Sequence, residues 1–281
     1  MCSLSSSKEI SKGFVLTGLA NLFSRISGLL RDVILGYVFG TSAILDTFLL
    51  AFTFPNLSRR VFGEGAMNSA MVPVLGERDQ LSRERARIFL SNIISCVFVL
   101  LLVLSVVLSG GALLWASLFE GTGRLPYLLA ILFPYMIAIC LVALGASILQ
   151  FYKDYFLASF VSVFLNVFMV LSLLAYSLFE TRDQQVAEGY LLVGVLLSGL
   201  FQLALIYARL YKLGISLSFL PNFRSRDWKA VKVLFLPALL AAGIGQLGVL
   251  SDRVIATFIG ESAVSSLYYS ERLTYLPVGV F

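Results

Sequence analysis

Three arginines and one aspartate stand where a bilayer-spanning helix should be apolar, and they are where this sequence could do chemistry. The run Gly13–Phe39, GFVLTGLANLFSRISGLLRDVILGYVF, holds Arg25, Arg31 and Asp32, and a late apolar stretch holds Arg272. A charge near the bilayer centre costs at least ~2.5–3.5 kcal/mol on insertion scales, so such residues face a protein interior or a water-filled cavity. A guanidinium stays charged at any working pH and grips phosphate through a bidentate fork. Several arginines converging among few acids therefore suit a phosphorylated ligand better than a cation. A structural reading stands beside this one, in which Arg25 or Arg272 pairs with Asp32, Asp46 or Asp252 to hold helices together.

Other chemistries are narrowed by what is missing. The chain has no histidine, which removes imidazole catalysis and most transition-metal chemistry, so neither a metal site nor a cofactor is expected. An aspartyl pair of Asp32 with Asp252 stays formally open, although neither residue sits in an aspartyl-protease signature. Cys96 and Cys140 lie in apolar segments and read as small buried hydrophobes, with no disulfide implied.

The helix carrying these charges is two-faced. At ~100° per residue, Arg25, Asp32, Gly36, Asn21, Gly28 and Ser24 fall on one polar and small-residue face of about 140°, with Arg31 at its edge. Leu22, Phe23, Ile26, Leu29, Leu30, Val33, Ile34 and Tyr37 make an apolar back. Arg25 and Asp32 share the face but lie about two turns apart, ~10 Å, too far to neutralise each other directly.

Composition sets the environment of these elements. Hydrophobic residues make up 59% of the 281, charged residues 13%, and mean hydropathy is +0.91. Soluble domains are nearer 45–50% apolar and about 25% charged, so the chain reads as an all-α polytopic membrane protein. At ~20 apolar residues per span, eight segments emerge, near 13–38, 42–60, 88–118, 126–150, 156–178, 187–210, 231–258 and 262–281. Val61–Gly76 reads as a short interfacial or re-entrant helix, followed by the charged tract ERDQLSRERAR. With the N-terminus cytoplasmic, fifteen Lys and Arg collect on that side, against only Arg124 and Arg182 opposite. The formal charge of +5 is thus a topology signal and not a nucleic-acid surface. The first twelve residues are polar and the first apolar stretch is too long for a signal-peptide core, so no cleavable signal is expected.

A shift of 220 residues lays GLLRDVILGYVFGTSAI (Gly28–Ile44) on GVLSDRVIATFIGESAV (Gly248–Val264), with six of seventeen positions identical, Asp32 and Asp252 among them. Six spans separate the copies, so both run the same way, as in transporters built from parallel repeats. The expected organisation is a six-helix lobe over 1–217 and the first two helices of a second lobe over 218–281. Ending inside its eighth segment, the chain reads as part of a longer protein.

The stretch SRISGLLRDVILGYVFGTSAILDTFLLAFTFPNLSRRVFGEGAMNSAMVPVL (Ser24–Leu75) resembles the MurJ (MviN) family of bacterial lipid II flippases. It fits SR-x-x-G-x-x-RD, a short FG turn, D-x-F-x-x-A-F-x-x-PN-x-x-RR-x-F-x-EGA and a V-P-x-L close. YYSERLTYLPVGVF resembles the family's eighth helix, with Ser270-Glu271 where many members read Ala-Asp. The resemblance implies a multidrug/oligosaccharidyl-lipid/polysaccharide exporter fold and an Arg-rich central cavity open to alternate sides. It implies outward movement of an undecaprenyl-pyrophosphate-linked cell-wall precursor in the bacterial inner membrane. By position it assigns Arg25, Arg31 and Arg272 to substrate binding, and Asp46, Arg59 and Glu64 to acidic and gate positions. Asp32 and Asp252 join these as ion-pair candidates. The partners implied are the glycolipid, the bilayer and proteins of cell-wall synthesis, with no nucleic acid. A related exporter of the same fold, carrying another lipid-linked oligosaccharide or drugs, is the alternative.

Overall fold

In the computed structural model, the structure describes residues 3–119, 121, 123–178, 183–215 and 221–278. Among these the chain is helical: α1 (Ser3–Phe39), α2 (Ala43–Ser58), a π-helical segment (Arg59–Gly65), α3 (Ala66–Leu81), α4 (Arg83–Leu118), α5 (Leu125–Phe151), α6 (Tyr155–Phe160), α7 (Val163–Ser177), α8 (Gln184–Lys212), α9 (Arg226–Ile259) and α10 (Ala263–Val278). Five helical stretches are long and apolar enough to cross a membrane: α4, α5, α6 with α7, α8 and α9. The multi-pass helical reading therefore stands. The spans expected over 13–38, 42–60 and 262–281 correspond to α1, α2 and α10, the helices that carry the charges.

The boundaries follow from local chemistry. Gly40 ends α1 at φ 59°, its amide bonded back to Gly36 O at 3.0 Å, a backbone conformation that costs glycine nothing. Ser42 then caps α2, accepting the Leu45 amide at 3.3 Å. The same helix boundaries recur 220 residues later, with different turn dihedrals: α9 ends at Ile259, Gly260 has φ 150°, Ser262 has φ 71°, and α10 begins at Ala263. The sequence repeat is thus matched by a repeated helix–turn–helix with identical offsets.

One expectation needs correction. Val61–Gly76 is not a separate short helix. It continues α2 through the π segment, where the Ala66 amide bonds Val61 O five residues back, into α3, which packs along α9. The charged tract is likewise helical, split between α3 and α4 by Ser82 alone, which caps α4 through the Arg85 amide at 3.1 Å. At its edge, burial first and the Asp79 carboxylate second push the Tyr152 phenol up to about 12; its hydroxyl donates to Asp79 at 3.3 Å.

α5 is the central post, buried along nearly its whole length and packed against α4, α8, α2 and the π segment. Two hydrophobic cores stack along it. One joins α3, α4, α5 and α8 around Met71, Phe89, Ile93 and Leu144; the other joins α1, α2, α5, α7 and α8 around Leu35, Phe48, Leu132 and Leu191. α9 touches both, through Val231 in the first and Ala256 in the second. Its middle stays uncovered, with Val233, Leu236, Leu240, Ile244 and Leu247 exposed. The apolar back of α1 is exposed as its pattern predicts, including Leu22, Phe23, Ile26, Val33 and Tyr37, which suits a face turned to lipid.

Candidate functional site

The polar face of α1 meets α7 and α10 at a buried charged cluster. Arg31 is 6% exposed and Asp32 8%. Arg31 donates from Nε (2.9 Å) and Nη2 (2.6 Å) to Asp32 Oδ1, and from Nη1 to Asn166 Oδ1 of α7 at 2.7 Å. Its Nη2 also reaches the Tyr268 hydroxyl of α10 at 2.7 Å, and that hydroxyl donates to Asp32 Oδ1 at 2.6 Å. Every charge here is partnered, the condition under which a buried ion pair is tolerated.

The second oxygen of Asp32 faces the other way. Arg272 of α10 approaches Oδ2 with Nε at 3.5 Å, while its side chain stays 55% exposed. Its guanidinium lies 5.2 Å from the Tyr268 ring centroid, and that of Arg253 of α9 lies 5.7 Å away, so one ring stacks two cations. Asp32 therefore joins a buried guanidinium of α1 to an accessible one of α10. An anion arriving at the exposed side would meet Arg272 first.

One turn region nearby ties the same elements together. Asp46 Oδ1 of α2 accepts the Ser265 amide of α10 at 2.8 Å, the Ser262 hydroxyl donates to Thr41 O, and Tyr269 donates to Gly40 O at 3.4 Å.

The chain has counterparts among known proteins. The family profile Lipid II flippase MurJ matches residues 35–281. The chain belongs to the MurJ family. It is 35% identical over 283 residues to a probable lipid II flippase MurJ of Rhizobium meliloti, across 97% of this chain and 52% of that protein. It is 33% identical over 299 residues to that of Vibrio cholerae, across all of this chain and 56% of the relative. A solved lipid II flippase MurJ in an inward closed conformation superposes with a TM-score of 0.76 at 27% identity, covering 95% of this chain and 56% of that one. The chain thus spans about half the length of the curated MurJ relatives it matches.

Against this MurJ background the expected residues divide. Arg31, Asp32 and Arg272 converge, and Tyr268, the first residue of YYSERLTYLPVGVF, joins them. Arg25 is exposed, with no ion pair among the described residues. Asp46 caps α10 and makes no arginine pair among them. Arg59, at the start of the π segment, is half-buried and lines a separate cavity. The side chain of Glu64 lies outside the described residues. Asp252 is exposed and joins no ion pair among the described residues, while its neighbour Arg253 points inward to Glu271 and Val264 O. The repeat thus preserves the helix boundaries, while Asp32 is buried and Asp252 exposed. Asn166 was missed; its signal was a lone amide inside the apolar run VFLNVFMV.

Proposed function

We propose that the full-length protein containing this chain is a transporter, not an enzyme, that moves a lipid II-type polyprenyl-pyrophosphate glycolipid outward across the bacterial inner membrane. One observation carries the reading: guanidinium groups from α1 and α10, distant in sequence, share the carboxylate of Asp32, with Arg272 half-exposed at 3.5 Å. Pyrophosphate is the chemistry that set would recognise, since each guanidinium offers a planar fork to phosphate oxygens. The names of the MurJ relatives support the same substrate.

In this reading Asp32 is the internal counter-ion that keeps Arg31 and Arg272 paired while no substrate is bound. Pyrophosphate competes with it, taking Arg272 and the exposed Arg25 first and Arg31 as the cluster opens. Residues 1–217 form one lobe and 218–281 begin the second. Rocking of the lobes about the cluster exposes it to alternate sides, with the N-terminus cytoplasmic by the Lys/Arg bias of the loops. Asp46, Arg59 and Glu64 act at the gates, and Asp252, exposed on α9, is available to pair only in another state of the cycle.

The test replaces Arg25 and Arg272 singly with Ala in the full-length protein. Each variant should insert normally and lose translocation of lipid II across proteoliposomes. Wild-type flipping by both overturns the assignment. An exporter of cationic drugs in the same fold would call for an acid-rich cavity, and this cluster is rich in arginine.

A further inference from the structure

A cavity of about 370 Å³ lies within residues 1–217, between α3, α5, the α6–α7 junction and α8, with Arg59 at its wall. Its volume is at the lower end of the range for ligand sites. Two features of the lining set it apart from a packing void. Gln202 is only 3% exposed, yet among the described residues its Nε2 has no hydrogen-bond partner, and Asn68 Oδ1 is likewise buried without one. An unpaired buried polar group costs roughly 1–3 kcal/mol, so two of them bordering one space mark a place where a polar guest belongs.

The donor and acceptor inventory says what kind of guest. Ser147 spends its hydroxyl proton on Ala143 O at 3.1 Å, and Ser162 spends its own on Ser159 O at 3.1 Å. Each keeps oxygen lone pairs for a guest. Gln202 and Arg59 supply donors, and Asn68 an acceptor. No lining residue is acidic, so neither a metal cation nor a proton finds a carboxylate here. Aliphatic side chains of α5 and α7 complete the wall. Mixed donors and acceptors against aliphatic patches match a saccharide, whose hydroxyl and N-acetyl groups both give and accept while its ring C–H faces are apolar.

We infer that this cavity is a subsite for the sugar portion of the transported glycolipid, separate from the Asp32 cluster. The inference rests on the reading under Proposed function. Ser162 Oγ stands 3.2 Å from Ser24 Oγ of α1, the residue before Arg25, so the cavity wall adjoins the polar face that leads toward the cluster. The pyrophosphate would engage the arginines while the sugars reach between α5 and α8.

The experiment measures binding to full-length protein in nanodiscs, for wild type and for Gln202→Leu and Asn68→Leu. Two probes are used, undecaprenyl pyrophosphate and the same lipid carrying its disaccharide-pentapeptide. Leucine nearly preserves volume and removes the orphan atoms, so both variants should fold, which a thermal melt checks. Each should bind the glycolipid about tenfold more weakly, the scale of a lost hydrogen bond in a buried site, and bind the bare pyrophosphate lipid as wild type does. Unchanged affinity for both probes, as for a cavity that holds only water, overturns the subsite. So does an equal loss for both. Wild type that binds neither probe overturns the transport reading and the subsite with it, whereas failure of the subsite alone leaves pyrophosphate binding intact.

Discussion

Asp46 on α2 caps the first turn of α10: its Oδ1 receives the Ser265 amide at 2.8 Å, across 219 residues of chain. A helix start has free amides and a partial positive charge, so a carboxylate there stabilises by hydrogen bond and by dipole. Asp46→Ala should lower the stability of the full-length protein by about 1 kcal/mol and Asp46→Asn by less, since an amide oxygen still caps. Thermal melts of the purified variants measure the difference, and equal loss for both would point to the charge alone.

Removing Asp32 leaves the Arg31 charge buried with only neutral partners. Asp32→Ala should cost about 3–5 kcal/mol, whereas the paired replacement Arg31→Met with Asp32→Leu should recover most of it. A double-mutant cycle on denaturant unfolding reads the coupling. Recovery of stability without transport would separate the structural from the functional demand on the pair.

The seam between α3 and α9 carries a testable ion pair. Arg78 approaches Asp227 Oδ1 with Nε at 2.9 Å and Nη2 at 2.7 Å, each side chain 29% exposed. Partial exposure limits its worth to about 1 kcal/mol. Reversing either charge should destabilise, and reversing both should restore wild-type melting; a double reversal no better than the singles would show that geometry, not sign, matters.

Helix packing on α8 depends on bare backbone. A Cβ on Gly194 would stand 2.5 Å from Ser172 Oγ and 2.9 Å from Phe168 O, while one on Gly110 of α4 would meet nothing within 4 Å. Gly194→Ala should cost about 1–3 kcal/mol through overpacking. Gly110→Ala should stabilise by up to about 1 kcal/mol through helix propensity. Opposite shifts in melting temperature are expected.

Tyr152 gives an alkaline signature. Its phenol rises from an ordinary 10.0 to about 12 on folding, so its contribution is complete below pH 10 and fades as pH climbs through about 12. Tyr152→Phe should be less stable than wild type below pH 10, with the gap closing above it. A constant gap across that range would assign the effect to packing.

Much of the fold could be read from spacing alone. The two faces of α1 follow from periodicity, and the repeat anticipated matching helix ends at Phe39 and Ile259 because the turn glycine and the serine after it recur, although Ser42 caps its helix and Ser262 does not. What could not be read depends on side-chain reach. Neighbours in a helix point about 100° apart and do not ordinarily face each other. The sequence wheel therefore set Arg31 at the edge of the face, yet its long side chain wraps to Asp32 when Asn166 and Tyr268 receive its other N–H groups. Identity at an offset says nothing about how far α9 is rotated against its neighbours, so the exposure of Asp252 beside a buried Arg253 could not be read from the repeat. The π segment left no periodic mark over seven residues.

That segment works as a gear. A π turn holds more residues than an α turn, and each residue contributes about 100° of rotation in α geometry. If Arg59–Gly65 tightened to α geometry, α3 would turn about its own axis relative to α2. The turn would carry Asn68 away from the cavity at one end and Arg78 away from Asp227 at the other. A local rewinding of backbone would thus uncouple a pocket and an interhelical clamp together, with no hinge in the loops.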